Sequence, residues 1–289
     1  MKIQTLSIVA GSEACNARCP FCVSKMTPPL GVELKEPEVN WRNFEVACRL
    51  ARRSHVTTAM FTGKGEPTLF PHQITRFLTA MRKHQFPLIE LQTNGTKLVE
   101  ENYLTHLRTW YDLGMTTIAI SVVHYSPDKN RQIYLPYKDE YIDLPKLIAN
   151  LHGIGFSIRL TCIGARGYID GVTELRKLVS FASANKVEQL TFTPVNKPEK
   201  SLSKKAWEWT VQHYLTEEEI DKIREFLDFT GDHVLTLAHG AKVYDLQGQN
   251  ICLNHCLTVQ PDKEEMRNLI FFPDGHLRYY WQYPGAILL

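Results

Sequence analysis

The sequence has little that would place it in a membrane, outside the cell or on nucleic acid. No stretch approaches the ~18 apolar residues of a membrane span. The opening Met1-Lys2-Ile3-Gln4-Thr5-Leu6 lacks the ~7–15-residue apolar core of a secretory signal. The formal net charge is only +2, which argues against a nucleic-acid partner on bulk charge. A solenoid repeat and low-complexity tracts are missing too. Seven cysteines is an odd number, and three fall between positions 15 and 22. A secreted disulfide framework is even and more evenly spread. These features predict a soluble, cytoplasmic protein whose thiols stay reduced and free to bind metal.

Apolar residues make up 44% of the 289 and charged residues 22%, an ordinary globular balance. A strand-then-helix rhythm runs along the chain. β-Branched strand patterns lie near 3–9, 58–63, 88–93, 116–123, 157–163 and 189–195. Helical patterns lie between and after them, near 43–54, 72–84, 100–110, 141–152, 171–184 and 216–228. At the last of these, Thr216 is a good N-cap, and Glu217, Glu218 and Glu219 suit the positive end of a helix dipole. Six such units predict parallel strands joined by right-handed crossovers. Two arrangements fit, a partial (β/α)6 TIM-like barrel or an open doubly wound sheet, the first being the expectation. Either puts function at the carboxyl ends of the strands.

Residues 196–215 break the rhythm, being basic and then aromatic. They suit a solvated excursion or a lid over a pocket. Further on, Leu269-Ile270-Phe271-Phe272, Pro273-Asp274-Gly275-His276 and Leu277-Arg278-Tyr279-Tyr280-Trp281 read as a β-hairpin. The chain thus divides into a main unit, 1–229, and a small C-terminal cap or extension, 230–289.

The chemistry concentrates in Cys15-Asn16-Ala17-Arg18-Cys19-Pro20-Phe21-Cys22, directly after the first strand. Three thiolates on a short loop suit one metal centre. Structural zinc takes four ligands, so His55 or His124 would have to complete it. That is the competing reading, a zinc-binding structural or interaction module without turnover. A cubane iron–sulfur cluster held by three cysteines keeps one iron open for a small molecule.

The CxxxCxxC spacing, with aromatic Phe21 before the last cysteine, closely resembles the radical S-adenosylmethionine (SAM) superfamily. Three further motifs follow in that family's order. Gly63-Lys64-Gly65-Glu66-Pro67 resembles its Gly-Gly-Glu-Pro segment, with Lys64 breaking the glycine pair. Gln92-Thr93-Asn94-Gly95 resembles its third-strand ending, and Ile120-Ser121-Val122 its fourth.

The resemblance implies a 4Fe–4S cluster on Cys15, Cys19 and Cys22 whose open iron chelates SAM. Reductive cleavage would give a 5′-deoxyadenosyl radical that takes a hydrogen atom from the substrate. A one-electron reductant such as flavodoxin or ferredoxin is implied as partner. Phe21, Gly63, Gly65, Glu66, Asn94 and Ser121 are then expected at SAM. Arg159 is expected at its carboxylate and Ile163 near its adenine. Lys64 either offers a cation to an anionic substrate or is a solvated loop lysine, the second being the expectation.

No catalytic acid or base stands out, and His124 reads as a surface residue or a catalyst. The polar strand ends suggest a small polar substrate: a nucleoside or nucleotide, an amino acid or a peptide. Cys48 and Cys162 read as core. Cys252, His255 and Cys256 suit an auxiliary metal site, a catalytic thiol or plain structural cysteines. The tail aromatics are expected to pack against the barrel.

Overall fold

The computed structural model describes residues 2–237, 239–254, 265–281 and 283–289. Six strands carry the main unit: β1 Lys2–Val9, β2 Thr58–Thr62, β3 Leu88–Thr93, β4 Thr117–Val122, β5 Ser157–Gly164 and β6 Gln189–Pro194. Five more follow: β7 Asp232–Thr236, β8 Lys242–Leu246, β9 Gln249–Leu253, β10 Glu265–Phe271 and β11 Leu277–Arg278. The helices are α1 Val23–Met26, α2 Trp41–Arg53, α3 Pro71–Met81, α4 Leu104–Asp112, α5 Pro127–Tyr134, α6 Leu144–Ile154, α7 Val172–Ala184, α8 Lys204–His213 and α9 Glu217–Thr230.

All strands share one sheet, ordered β11-β10-β1-β2-β3-β4-β5-β6-β9-β8-β7. Strands β1 to β6 pair in parallel and in chain order. A doubly wound sheet reverses its order at a switch point, with helices on both faces. Unbroken order with right-handed crossovers keeps the helices on one face and curls the sheet. The fold is therefore a partial TIM-like barrel, not closed, with β7 and β11 as its edges.

The alternation along β5 shows how the sequence specifies the two faces. Ile158, Leu160 and Cys162 are buried in the layer between sheet and helices. Arg159, Thr161 and Ile163 point to the barrel interior and are only partly buried. The helix-side layer is apolar and aromatic, with Trp110, Phe44, Phe61, Phe77, Phe156, Phe192 and Cys48 buried within it.

Helix α9 begins with a full capping box. Thr216 Oγ1 accepts from the Glu219 N–H at 3.3 Å, and Glu219 Oε2 accepts from the Thr216 N–H at 2.7 Å. Such a cap stabilises by about 1 kcal/mol.

Residues beyond 230 extend the sheet at both edges. β9 pairs in parallel with β6, and β8 and β7 continue antiparallel. The turn between β8 and β9 is Gln247-Gly248, both at positive φ (56° and 90°). That is the backbone of a two-residue hairpin. At the other edge β10 pairs in parallel with β1, and β11 folds back on β10 as the expected hairpin. Among the described residues no helix is long and apolar enough to cross a membrane.

Candidate active site

The cysteine loop leaves β1 at the carboxyl end of the barrel. The Cys15, Cys19 and Cys22 sulfurs lie close enough to act on one another's charge. Burial, reinforced by the neighbouring cysteines, pushes the Cys15 and Cys19 thiols above their ordinary range. Cys15, Cys19 and Phe21 pack on an apolar patch of Ala17, Val123, Ile133, Tyr134 and Leu135, beside Ile163.

Helix α8, from the segment expected as an excursion or lid, lies over this loop. Phe21 sits 5.4 Å from Trp209, ring centre to ring centre, and 6.4 Å from Tyr134. Trp209 stacks on His213 at 4.1 Å, and Leu202 N–H donates to the Met26 carbonyl at 3.1 Å.

The Gly63–Pro67 loop is built against the cysteine loop. Glu66 N–H donates to the Ala14 carbonyl at 2.9 Å. A Cβ at Gly65 would overlap that same carbonyl, so the approach requires glycine.

Glu66 is fully buried and holds the loop to the end of β3. Its Oε1 accepts from Thr68 N–H at 3.0 Å, Thr68 Oγ1 at 2.7 Å and Thr93 Oγ1 at 2.7 Å. Among the described residues its Oε2 accepts only from Asn94 N–H, at 2.9 Å. Burial raises the Glu66 pKa while these donors pull it down. Asn94 reaches the cysteine loop in turn. Its Nδ2 donates to Asn16 Oδ1 at 2.8 Å, and its Oδ1 accepts from Thr96 N–H and Oγ1 at 3.0 and 2.7 Å.

Inside the barrel, Ser121 is level with Thr161, Thr161 with Thr191, and Thr191 with Cys252. This puts three hydroxyls and a thiol in one row across β4, β5, β6 and β9. Thr161 Oγ1 is buried without a hydrogen-bond partner among the described residues. Arg159 lies one level nearer the amino ends and forms an ion pair with Glu90. Its Nε, also buried, has no hydrogen-bond partner among the described residues. Ile163 lies one level above Thr161 and packs on the same apolar patch as Cys15 and Cys19.

Lys64 is not a solvated loop lysine. It is 3% exposed, because the C-terminal Trp281 and Thr27 close over it. His55 is exposed and lies between α2 and β2, at the amino end of the strands, away from the cysteines. His124 has both ring nitrogens engaged, one within its own loop and one toward α7. Nδ1 accepts from Ser126 N–H at 2.9 Å, and Nε2 lies 3.4 Å from Glu174. Neither histidine completes a zinc tetrad.

Among the described residues no three His, Cys, Asp or Glu side chains converge as the ligands of one ion would. A cubane takes each thiolate on a different iron, so it suits thiols that share a pocket without meeting at a point. Soft thiolates, an apolar wall and a backbone cradle at Gly65 all fit that group. Of the C-terminal trio, Cys252 faces the interior, while His255 and Cys256 lie outside the described residues. The tail packs as expected in part. Trp281 meets Phe272 at 5.5 Å beside Val9, Leu30 and Val32, while Tyr279, Tyr280 and Tyr283 are exposed.

Solved structures share this fold. SuiB of Streptococcus suis, bound to its precursor peptide SuiA, superposes with a TM-score of 0.61 at 14% identity, covering 96% of this chain and 59% of SuiB. A radical SAM methyltransferase from Sphaerobacter thermophilus gives 0.52 at 13% identity, covering 77% and 63%. Native anSMEcpe with bound AdoMet and a peptide gives 0.53 at 15%, covering 80% and 60%. At these identities the likeness is one of fold, and the chain spans 59 to 63% of the length of these proteins. No curated protein sequence matches. The family model of the radical SAM superfamily matches residues 9–178, more than half of the chain. The chain therefore belongs to the radical SAM superfamily of enzymes, whose cofactors are a 4Fe–4S cluster and S-adenosylmethionine.

Proposed function

We propose that this chain cleaves S-adenosylmethionine reductively and directs the resulting 5′-deoxyadenosyl radical to abstract a hydrogen atom from a small polar substrate. The substrate class is a nucleoside or nucleotide, an amino acid or a peptide. The observation that carries the reading is the row Ser121, Thr161, Thr191 and Cys252, inside the barrel one level from Ile163, which packs on the same apolar patch as Cys15 and Cys19. A polar row with an unpartnered buried hydroxyl suits a hydrogen-bonding ligand.

When bound, the cluster would relay one electron from the external donor and SAM would supply the radical. The protein's part is to hold, orient and exclude water. Cys15, Cys19 and Cys22 would hold the cluster as thiolates. Gly63 and Gly65 let the backbone approach SAM, and Glu66 Oε2 would accept from its ammonium. Asn94 steadies the cysteine loop through Asn16. Ser121 would face the SAM carboxylate or ribose, Arg159 Nε its carboxylate, and Ile163 its adenine. Phe21 and Trp209 shield the site on the α8 side.

Residues 230–289 act as a cap that lengthens the sheet at both edges. A flavodoxin or ferredoxin is the electron donor, and the cytoplasm, where thiols stay reduced, is the compartment.

The test is a screen of reconstituted, reduced protein with SAM and pools of nucleosides, nucleotides, amino acids and peptides. One pool should raise 5′-deoxyadenosine release well above the substrate-free rate. Steady substrate-free cleavage that no such pool stimulates would contradict the substrate class.

A further inference from the structure

Lys64 stands where the superfamily motif that this loop resembles has a glycine. The turn is fixed on either side of it, with Gly65 against the cysteine loop and Gly63 against the Ala10 carbonyl. The Lys64 side chain leaves this turn into a buried place. Its Nζ donates to Thr27 Oγ1 at 2.7 Å and lies 5.8 Å from the centre of the Trp281 ring. Among the described residues no carboxylate forms an ion pair with it. An ammonium has three donors, and one hydroxyl satisfies only one of them.

A buried cation without a counter-charge is costly. Burial accordingly lowers the Lys64 pKa, while Glu13 and Cys22 oppose that shift. Thr27 closes the short helix α1 that Cys22, the third thiol of the cluster loop, opens, so the ammonium stands on the cluster side with Glu13 and Cys22 as the negative groups that act on it. The tail contributes the cover. Trp281 is held against Phe272 at 5.5 Å and presents its ring to the ammonium, an arrangement that favours a desolvated cation.

We propose that Lys64 is a fixed counter-charge for the cluster at Cys22, raising its reduction potential, and that Trp281 keeps this counter-charge out of water. The proposal rests on the cluster reading above. The step it eases is uptake of one electron from an external one-electron donor, with no bond or proton exchanged. Reduction adds a negative charge beside a cation that water does not screen, so the reduced form gains more than the oxidised form.

The test is a redox titration of the reconstituted, SAM-free protein, followed by electron paramagnetic resonance. Lys64→Met and Lys64→Gln should each shift the one-electron equilibrium at least tenfold toward the oxidised cluster, 59 mV for a one-electron couple. Lys64→Arg, which keeps the charge, should stay near the wild-type midpoint. Trp281→Leu, which admits water to the ammonium, should fall between.

An unchanged midpoint in the neutral variants, or an equal fall in Lys64→Arg, overturns the proposal. If neither neutral variant retains a cluster, an unchanged midpoint in Trp281→Leu overturns it. A wild-type protein that binds no cluster at all would instead contradict the cluster reading itself, which keeps the two failures apart.

Discussion

Asn94 at the end of β3 donates to Asn16 in the cysteine loop at 2.8 Å, although 78 residues of chain separate them. Asn16 returns a bond to Thr96 Oγ1 at 2.6 Å. The cysteine loop is thus hung from the third strand, and Glu66 hangs from the same place through Thr93 and Asn94.

Replacing Asn94 with alanine removes the side-chain support of the cysteine loop, while the backbone N–H at 94 still donates to Glu66. The loss of partly buried hydrogen bonds should cost about 1–2 kcal/mol, read as a lower melting temperature. Iron bound per chain should fall with it. A full iron complement and an unchanged melting temperature in Asn94→Ala would show that the support is dispensable.

Glu66→Gln tests the same hub from the other side. The amide keeps the shape but presents an NH2 to donors that now meet a carboxylate. Leaving a buried donor unpaired costs about 1–3 kcal/mol. Denaturant melts of wild type and variant measure this directly, and equal midpoints would contradict it.

The ion pair of Arg159 and Glu90 inside the barrel has side chains 24% and 8% exposed. Removing one partner leaves a buried charge alone. Arg159→Leu should cost about 3 kcal/mol, and the double variant Glu90→Leu with Arg159→Leu should regain most of it. A double variant no more stable than the single one would refute the coupling.

Stability against pH carries a further signature of Glu90. Burial raises its pKa above 4.5 despite Arg159. The folded state therefore binds the proton more tightly than the unfolded chain. Its contribution is greatest below the unfolded pKa and is lost as pH rises through the folded pKa. Relative to Glu90→Gln, the wild type should lose stability as pH rises above about 4.5. A difference that grows the other way would contradict the assignment.

Much of this architecture was readable from local pattern. The β-branched runs give β1 to β6 within a residue or two, because each strand's alternation reflects one apolar helix-side face and one interior face. Thr216 and Glu219 announce the start of α9 for the same local reason. The hairpin around Gln247-Gly248 also has a sequence signal, a two-residue turn between alternating strands. Helix α8 was masked by its basic start and adjacent tryptophans, whose purpose appears only against Phe21. The parallel pairing of β10 with β1 joins the ends of the chain and leaves no local trace. The burial of Lys64 depends on Trp281, and the occupied oxygens of Glu66 depend on Thr93. Both are long-range facts, which is why the motifs showed the place of the site better than the duty of each residue.

The most direct test of the central claim is 5′-deoxyadenosine formed from SAM by anaerobically reconstituted, chemically reduced protein. Wild type, carrying iron and sulfide near four each per chain, should produce it. Cys19→Ala should lose both colour and product. Iron-loaded, reduced wild-type protein that forms no 5′-deoxyadenosine, with or without the substrate pools, would contradict the account.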